Sequence, residues 1–563
     1  MSRNPALPCP SLPSCGMLLL ALLAAGVTLT ARSSQAEPPA GKAVMLTDDD
    51  WRQASRQPIT SAEIDALVNQ ELQARRLEPA PLTTDEQFLR RASLDLTGQL
   101  PPPATIRAFV ASEDPAKRAQ LVDQLLDSDD HARHWARFWR DVVSVRITNR
   151  RSMGLTRSFE EWLFEQFRDE QSWGDITRRI VTAQGELRFT LNTPTAENGQ
   201  LFFLVAHDSD EAEERAAETS RVFLGIQIQC AQCHDHPSEP WNRIQFHEMA
   251  AYFSRIKYEQ LFDDKKLAGV QLVVTPDREH QMVSLEDPDS FTLTHPRFLD
   301  GQAPGVNLDD QHRRESLADL IVDPENHWFA AAYVNRITAE LLGQPFYPHV
   351  DDLGPRKEVV FPALLTRMTG SFRGTNYDMK ALFRAILNSQ TYQRQIRPGD
   401  PAGQPAYFAA AVTKRLRPDT QWDSLVHVLG KIEHGARFHT GSGRRFNLSF
   451  LEGRFRTEFD FDPSLDEVEV QGTIPQTLLM MNNLKLHQRV AIGHTTLLKQ
   501  VLKDFAEDGP AVEHLYLLAL ARQPTDQERA RCSDYLAAAP TREEAFEDLL
   551  WALVNSTEFQ TRR

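Results

Sequence analysis

Apolar side chains recur at three- and four-residue spacing through much of the chain, which gathers them on one face of an α-helix. The pattern predicts helices over 61–75 and 114–137, with Pro101-Pro-Pro103 between them as a rigid turn and helix start. It returns over 159–167, 211–224, 242–256, 316–342, 378–387, 421–429, 511–520 and 543–554. Between residues 270 and 298 the pattern changes. Val270-Gln-Leu-Val-Val274 and Phe291-Thr-Leu-Thr-His295 favour strands, and Pro276, Asp277 and Asp287-Pro288 interrupt them. The expected fold is mainly α: a multi-helix two-domain protein with a small β insert around 270–298. The expected boundaries are a leader over 37–60, an N-terminal helical domain over 61–258, a β-rich insert over 259–296 and a C-terminal helical domain over 297–563.

Self-comparison adds a repeat. Ala385-Ile-Leu-Asn-Ser389 followed by Tyr392-Gln393 recurs as Ala552-Leu-Val-Asn-Ser556 followed by Phe559-Gln560, and residues 121–131 form a weaker third copy. Upstream, Leu96-Thr-Gly-Gln-Leu-Pro101 resembles Leu520-Ala-Arg-Gln-Pro524. These matches predict a duplicated helical unit at the two ends of the chain. Residues 397–405 and 435–447, rich in Gly and Pro or in Gly and Ser, read as loops.

The N-terminus carries Arg3, an apolar run from Met17 to Thr30, and Ser34-Gln-Ala36, the arrangement of a signal peptide cleaved after Ala36. The apolar run is shorter than the ~20 residues that cross a bilayer as a helix. No other stretch is apolar enough to span, so no stable membrane span is expected after cleavage. The expected location is exported: periplasmic, cell-envelope or extracellular. Cleavage would remove Arg3 and Arg32 and no acid, lowering the formal charge from −16 to −18. Such a surface repels phosphate backbones, so no nucleic-acid partner is expected. The remaining chain keeps Cys230, Cys233 and Cys532, too few and too uneven for a disulfide-stapled scaffold.

That scarcity makes Cys230-Ala-Gln-Cys233-His234 informative. With 5 Cys and 17 His in 563 residues, chance places such a motif in about one chain in a thousand. The leading reading is one c-type haem. Cys230 and Cys233, about one helical turn apart, would form thioethers with the porphyrin vinyls, and His234 would bind the iron. Met249, Met282, His247 and His280 are the candidates for an opposite ligand. The second reading is a structural zinc held by Cys230, Cys233, His236 and His247. The third is a plain disulfide or redox pair. Met249 also has a simpler explanation: Asn242 caps a helix whose buried stripe is Phe246, Met249, Ala250 and Phe253.

Other carboxylate groups carry weaker signals. Glu458, Asp460, Asp462, Asp466, Glu467 and Glu469 alternate with Phe459, Phe461, Val468 and Val470, as on a half-exposed strand, with calcium binding as the alternative. Asp351-Asp-Leu-Gly-Pro355 reads as a turn, or else as a carboxylate pair for acid/base work. Thr47-Asp-Asp-Asp50 reads as solvated leader. The sequence holds no G-x-S-x-G, Walker loop, H-E-x-x-H or G-x-G-x-x-G, so the common hydrolase and transferase classes gain no support.

Three segments resemble the "planctomycete cytochrome C" domain: Phe88-Leu-Arg-Arg-Ala-Ser-Leu-Asp-Leu-Thr-Gly-Gln-Leu-Pro101, Trp135-Ala-Arg-Phe-Trp139, and residues 223–237 through Cys230-Ala-Gln-Cys-His-Asp-His-Pro237. Arg313-Arg314, Asn335-Arg336, Asp351-Asp-Leu-Gly-Pro355, residues 377–394 and Pro475-Gln-Thr-Leu-Leu-Met-Met-Asn482 resemble the "planctomycete-specific" domain that accompanies it. Both are families of exported proteins of unknown function, and the resemblance covers nearly all of the chain after residue 36. It implies that the Cys230–His234 motif matters. The expected function is electron transfer through one c-type haem, with a redox or envelope protein as partner. A non-catalytic envelope or extracellular binding scaffold, holding zinc or a disulfide at the same residues, is the alternative. A hydrolase acting on extracellular polymers is the third.

Overall fold

The computed structural model describes residues 44–188, 196–207, 212–305, 307–397, 407–432, 438–439, 445–446, 450–465, 472–493 and 496–563. The signal segment 1–36 and most of the two predicted loops lie outside them. The protein is mainly helical with small sheets. Most predicted helices are found near their expected places, among them Ser61–Ala74, Thr156–Arg168, Met379–Leu387, Asp508–Leu520 and Arg542–Val554. Two long predictions are each divided. The 114–137 pattern becomes Lys117–Leu126 and Asp129–Ser144, because Ser128 leaves the helix and its hydroxyl caps the His131 N–H. The 316–342 pattern becomes Asp310–Val322 and His327–Leu342, divided at Asp323-Pro324, with Asn326 capping the second helix.

The β insert is present and begins earlier than expected. Ile256–Asp263 and Lys266–Val274 pair antiparallel, and Glu186–Arg188, which had no distinct sequence signal, adds a third strand. His280–Val283 and Phe291–Thr294 form a separate hairpin. Thr47-Asp-Asp-Asp50 is exposed, as read, and is also structured: Thr47 and Asp50 form a reciprocal capping box at the start of the helix Asp48–Gln53, which buries Trp51. One reading is corrected. The strand predicted over 458–470 gives way, at its start, to the end of the helix Phe450–Phe459. Phe455 and Phe459 stack with ring centroids 4.1 Å apart on one helix face, so their four-residue spacing outweighs the apparent alternation. Residues 466–470 lie outside the described residues.

One hydrophobic core draws on both predicted halves. Trp139 lies 4.1 Å from Trp173 and 5.5 Å from Tyr333, whose ring stacks on Phe372 at 4.7 Å. A second core gathers the helices after residue 416 around Leu425, Leu515, Phe546 and Phe559, with Leu94 and Leu100 reaching into it.

The helix Asp85–Thr97 joins these parts. From Phe88 to Leu96 every residue is buried, including Arg90, Arg91, Ser93 and Asp95. Buried charges need partners. Arg90 donates to the carbonyls of Glu558 and Thr561 at 2.8 and 3.0 Å. Arg91 donates to those of Tyr392 and Arg394 at 2.7 and 2.9 Å. Asp95 accepts from Tyr392 Oη at 2.7 Å and pairs with Arg562 at 2.7 Å. Adjacent arginines thus each hold one of the two repeated segments.

Those segments share a local design. Ser389 and Ser556 each begin a four-residue helix and cap the N–H three residues on, at 3.2 Å in both. Each hydroxyl also donates back to a carbonyl of the preceding helix, at 2.6 and 2.7 Å. Ser128, in the weaker third copy, repeats both bonds at 3.2 and 2.7 Å.

Candidate functional site

The Cys230 motif follows a sharp stop. The helix Ala212–Thr219 widens into a single π turn over Ser220–Leu224 and ends at Gly225, whose φ is +67°. A Cβ there would stand 3.0 Å from Leu353 and 3.1 Å from Ala332, so both the turn and the close packing call for glycine. The next turn, Ile228–Gln232, is a short 3-10 helix that buries Ile228 and Ala231 and leaves Cys230 exposed. Cys233, His234 and Asp235 are exposed as well, and both thiols are free.

The residues around the turn are held firmly. Arg221 donates to Glu218, to Asp351 at 3.0 Å and to the Val142 carbonyl at 2.8 Å, all buried. Gln227 donates to the other Asp351 oxygen at 3.1 Å. Asp351 is therefore a structural anchor between the halves, and Asp352 pairs separately with Lys357. After the motif, buried Glu239 accepts from the Arg356 N–H at 3.2 Å, and a Cβ on Gly354 would lie 2.5 Å from its carboxylate. Asn242 caps the helix Arg243–Ala250 through a capping box with Gln245, and Phe246, Met249 and Ala250 are buried. The core explanation of Met249 holds. Arg243 spans from the Gln232 carbonyl at 3.2 Å to that of Val283 at 2.5 Å, tying the turn to the His280–Val283 hairpin.

The histidines divide into three roles. His234 Nδ1 lies 2.7 Å from the Asp235 carbonyl. A carbonyl only accepts, so Nδ1 carries a proton, and in the neutral ring Nε2 keeps its lone pair. His236 Nδ1 accepts the backbone N–H groups of Ser238 and Glu239 at 3.3 and 3.0 Å, so its free lone pair serves the loop. Buried His247 donates from Nε2 to the Gln232 carbonyl at 3.1 Å and turns Nδ1 to His280 Nε2, 2.8 Å away. Burial and the adjacent His280 hold His247 down to about 4. Burial and Arg278 do the same for His280.

The structure thus brings Cys230, Cys233 and His234 onto one exposed turn, with His236 in the adjoining loop and His247 beneath. Among the described residues, one group of His, Cys, Asp and Glu has its ligand atoms within 4.8 Å of one another: Glu213, His247 and His280. His280 entered the sequence reading only as a possible haem ligand, and Glu213 carried no signal. Beside the loop, a cavity of about 490 Å³ is lined by Trp51, Trp241, Phe298, His327, Trp328 and Arg373 among others, and the Trp241 indole N–H is buried without a hydrogen-bond partner among the described residues.

No curated protein and no solved structure matches the chain. Two family models do, each covering one of the regions that meet at Asp351 and Glu239. Residues 63–258 match PSCyt2, a protein of unknown function (DUF1549), and residues 313–447 match PSD1, a protein of unknown function (DUF1553).

Proposed function

We propose that the protein transfers single electrons through one c-type haem attached at Cys230 and Cys233 and ligated by His234. The observation that carries this reading is the state of His234. Its Nδ1–H is committed to the Asp235 carbonyl, which orients the ring and leaves Nε2 as the donor, the arrangement a metal-ligating histidine adopts. The flanking thiols are free and exposed, as covalent attachment by an assembly enzyme needs. When bound, the haem would supply one-electron chemistry at a potential set by its ligands and surroundings.

The chain's own residues fix the turn that would carry the group. His247 and Arg243 both donate to the Gln232 carbonyl, between the two cysteines. The backbone is thereby anchored while the thiols face outward. Such exposure suits a protein redox partner, because electrons cross short distances at an open edge. Haem attachment outside the cytoplasm accords with the export signal read over 1–36. Among the described residues no helix is long and apolar enough to cross a membrane.

The test is a visible spectrum and denaturing-gel haem stain of the full chain, produced with its signal and with cytochrome-maturation machinery. The expected result is a Soret band and haem retained in the gel, both lost in Cys230→Ala/Cys233→Ala. A colourless protein that is folded by circular dichroism would overturn the proposal.

A further inference from the structure

Beneath the exposed turn lies a second set of ligand-bearing side chains, from three separate elements. Glu213 belongs to the helix Ala212–Thr219, His247 to the helix Arg243–Ala250, and His280 opens the hairpin strand His280–Val283. His247 and His280 are 4 % and 6 % exposed, and Glu213 is partly buried. Their rings stack at 5.1 Å with 26° between planes. His247 Nδ1 is 2.8 Å from His280 Nε2, and Glu213 Oε1 is 3.7 Å from the same nitrogen, beyond hydrogen-bond length.

We infer that Glu213 Oε1, His247 Nδ1 and His280 Nε2 form a binding site for a divalent transition metal of the zinc type, separate from the Cys230 motif. Two neutral imidazoles and a carboxylate are a donor set such ions favour. Ligand atoms bound at ~2.1 Å to one tetrahedral ion stand roughly 3.4 Å apart. The observed 2.8 and 3.7 Å straddle that separation, and all three atoms lie within 4.8 Å of one another, so side-chain adjustment without backbone rearrangement would close the site. His247 is already prepared: its Nε2–H is held by the Gln232 carbonyl, which leaves Nδ1 unprotonated toward the site. His280 is not, because its Nε2–H is donated to His247. On metal binding that proton moves to His280 Nδ1, and the pair loses none. Three protein ligands leave the fourth position of a tetrahedral ion for another donor. The ion would pin the hairpin to both helices and, through His247, to the carbonyl between the cysteines. This inference does not depend on haem.

The experiment uses cobalt(II) as a spectroscopic stand-in, added to the full chain made without haem attachment and carrying Cys230→Ser and Cys233→Ser. The expected result is one cobalt per chain with visible d–d bands, no thiolate charge-transfer band, and an upward shift in thermal midpoint with cobalt concentration. His280→Asn and Glu213→Gln, each checked for folding by circular dichroism, should weaken binding by at least ~10-fold. No cobalt binding, or binding unchanged in either folded variant, would overturn the site. Binding that appears only with intact cysteines, with a thiolate charge-transfer band, would overturn it too and assign the metal to the Cys230 motif instead.

Discussion

The helix Asp85–Thr97 and the turn Ile228–Gln232 carry two of the most distinctive stretches of the sequence, yet the chain treats them in opposite ways. On the helix, Arg90, Arg91 and Asp95 are buried and bonded to distant backbone and side chains. Around the turn, Cys230, Cys233 and His234 are exposed; the backbone is anchored, and of these side chains His234 is held by a bond to the neighbouring Asp235 carbonyl. Charges that are desolvated and compensated hold architecture together. Reactive groups left in solvent on a rigid support are available for chemistry. Rarity in sequence marks both, and burial with partner count separates them.

The largest stability loss should come from the helix. Asp95→Ala leaves Arg562 and the Tyr392 hydroxyl buried without their acceptor, and should cost about 3–5 kcal/mol in denaturant unfolding. A loss comparable to a surface substitution would remove the helix from its central role.

Acid should weaken the same interior. Burial holds His131 down to about 4, with Lys380 lowering it further and the Leu96 carbonyl and Asp127 opposing. Burial likewise takes His134 down to about 3. The unfolded chain protonates these groups near 6.5. Their contribution is therefore complete above about 6.5 and falls as pH drops, until the folded values of about 4 and 3 are passed. Each can add a slope approaching ~1.4 kcal/mol per pH unit. Urea midpoints measured from pH 7 to 5 should decline, and Phe or Leu at position 131 should flatten the decline if it folds.

A smaller effect tests the repeated segments. Ser389→Ala and Ser556→Ala each remove one helix cap and should each cost about 1 kcal/mol, read from thermal or urea unfolding. Markedly unequal losses would show that the two segments share geometry but not weight. Smallest of all, Cys230→Ala in the protein without haem should change stability by less than about 0.5 kcal/mol, since the side chain is exposed.

Much of this architecture was legible along the chain, because helices are local. Spacing located them, and Asn242 with the stripe Phe246, Met249 and Ala250 was readable together. The internal stops were missed, because the run of apolar spacing masked the residues that make them. Ser128 is a cap residue, and Pro324 ends a helix before Asn326 starts the next. What could not be read is long-range pairing. Arg91 meets Tyr392 across 301 residues, and Arg90 meets Thr561 across 471. Nothing local to Asp85–Thr97 announces those partners. The same holds at the site. Cys230, Cys233 and His234 lie together because they are consecutive, whereas Glu213 joins His247 and His280 only once a hairpin folds back onto two helices. A single carboxylate on an amphipathic helix carries no mark of that meeting.

The most direct test of the haem assignment is intact and peptide mass spectrometry of the exported chain from cells with cytochrome-maturation machinery. The peptide holding Cys230 and Cys233 should carry one covalent haem, and the peptide holding Cys532 none. A folded, exported protein whose Cys230–Cys233 peptide is recovered at its unmodified mass would contradict it.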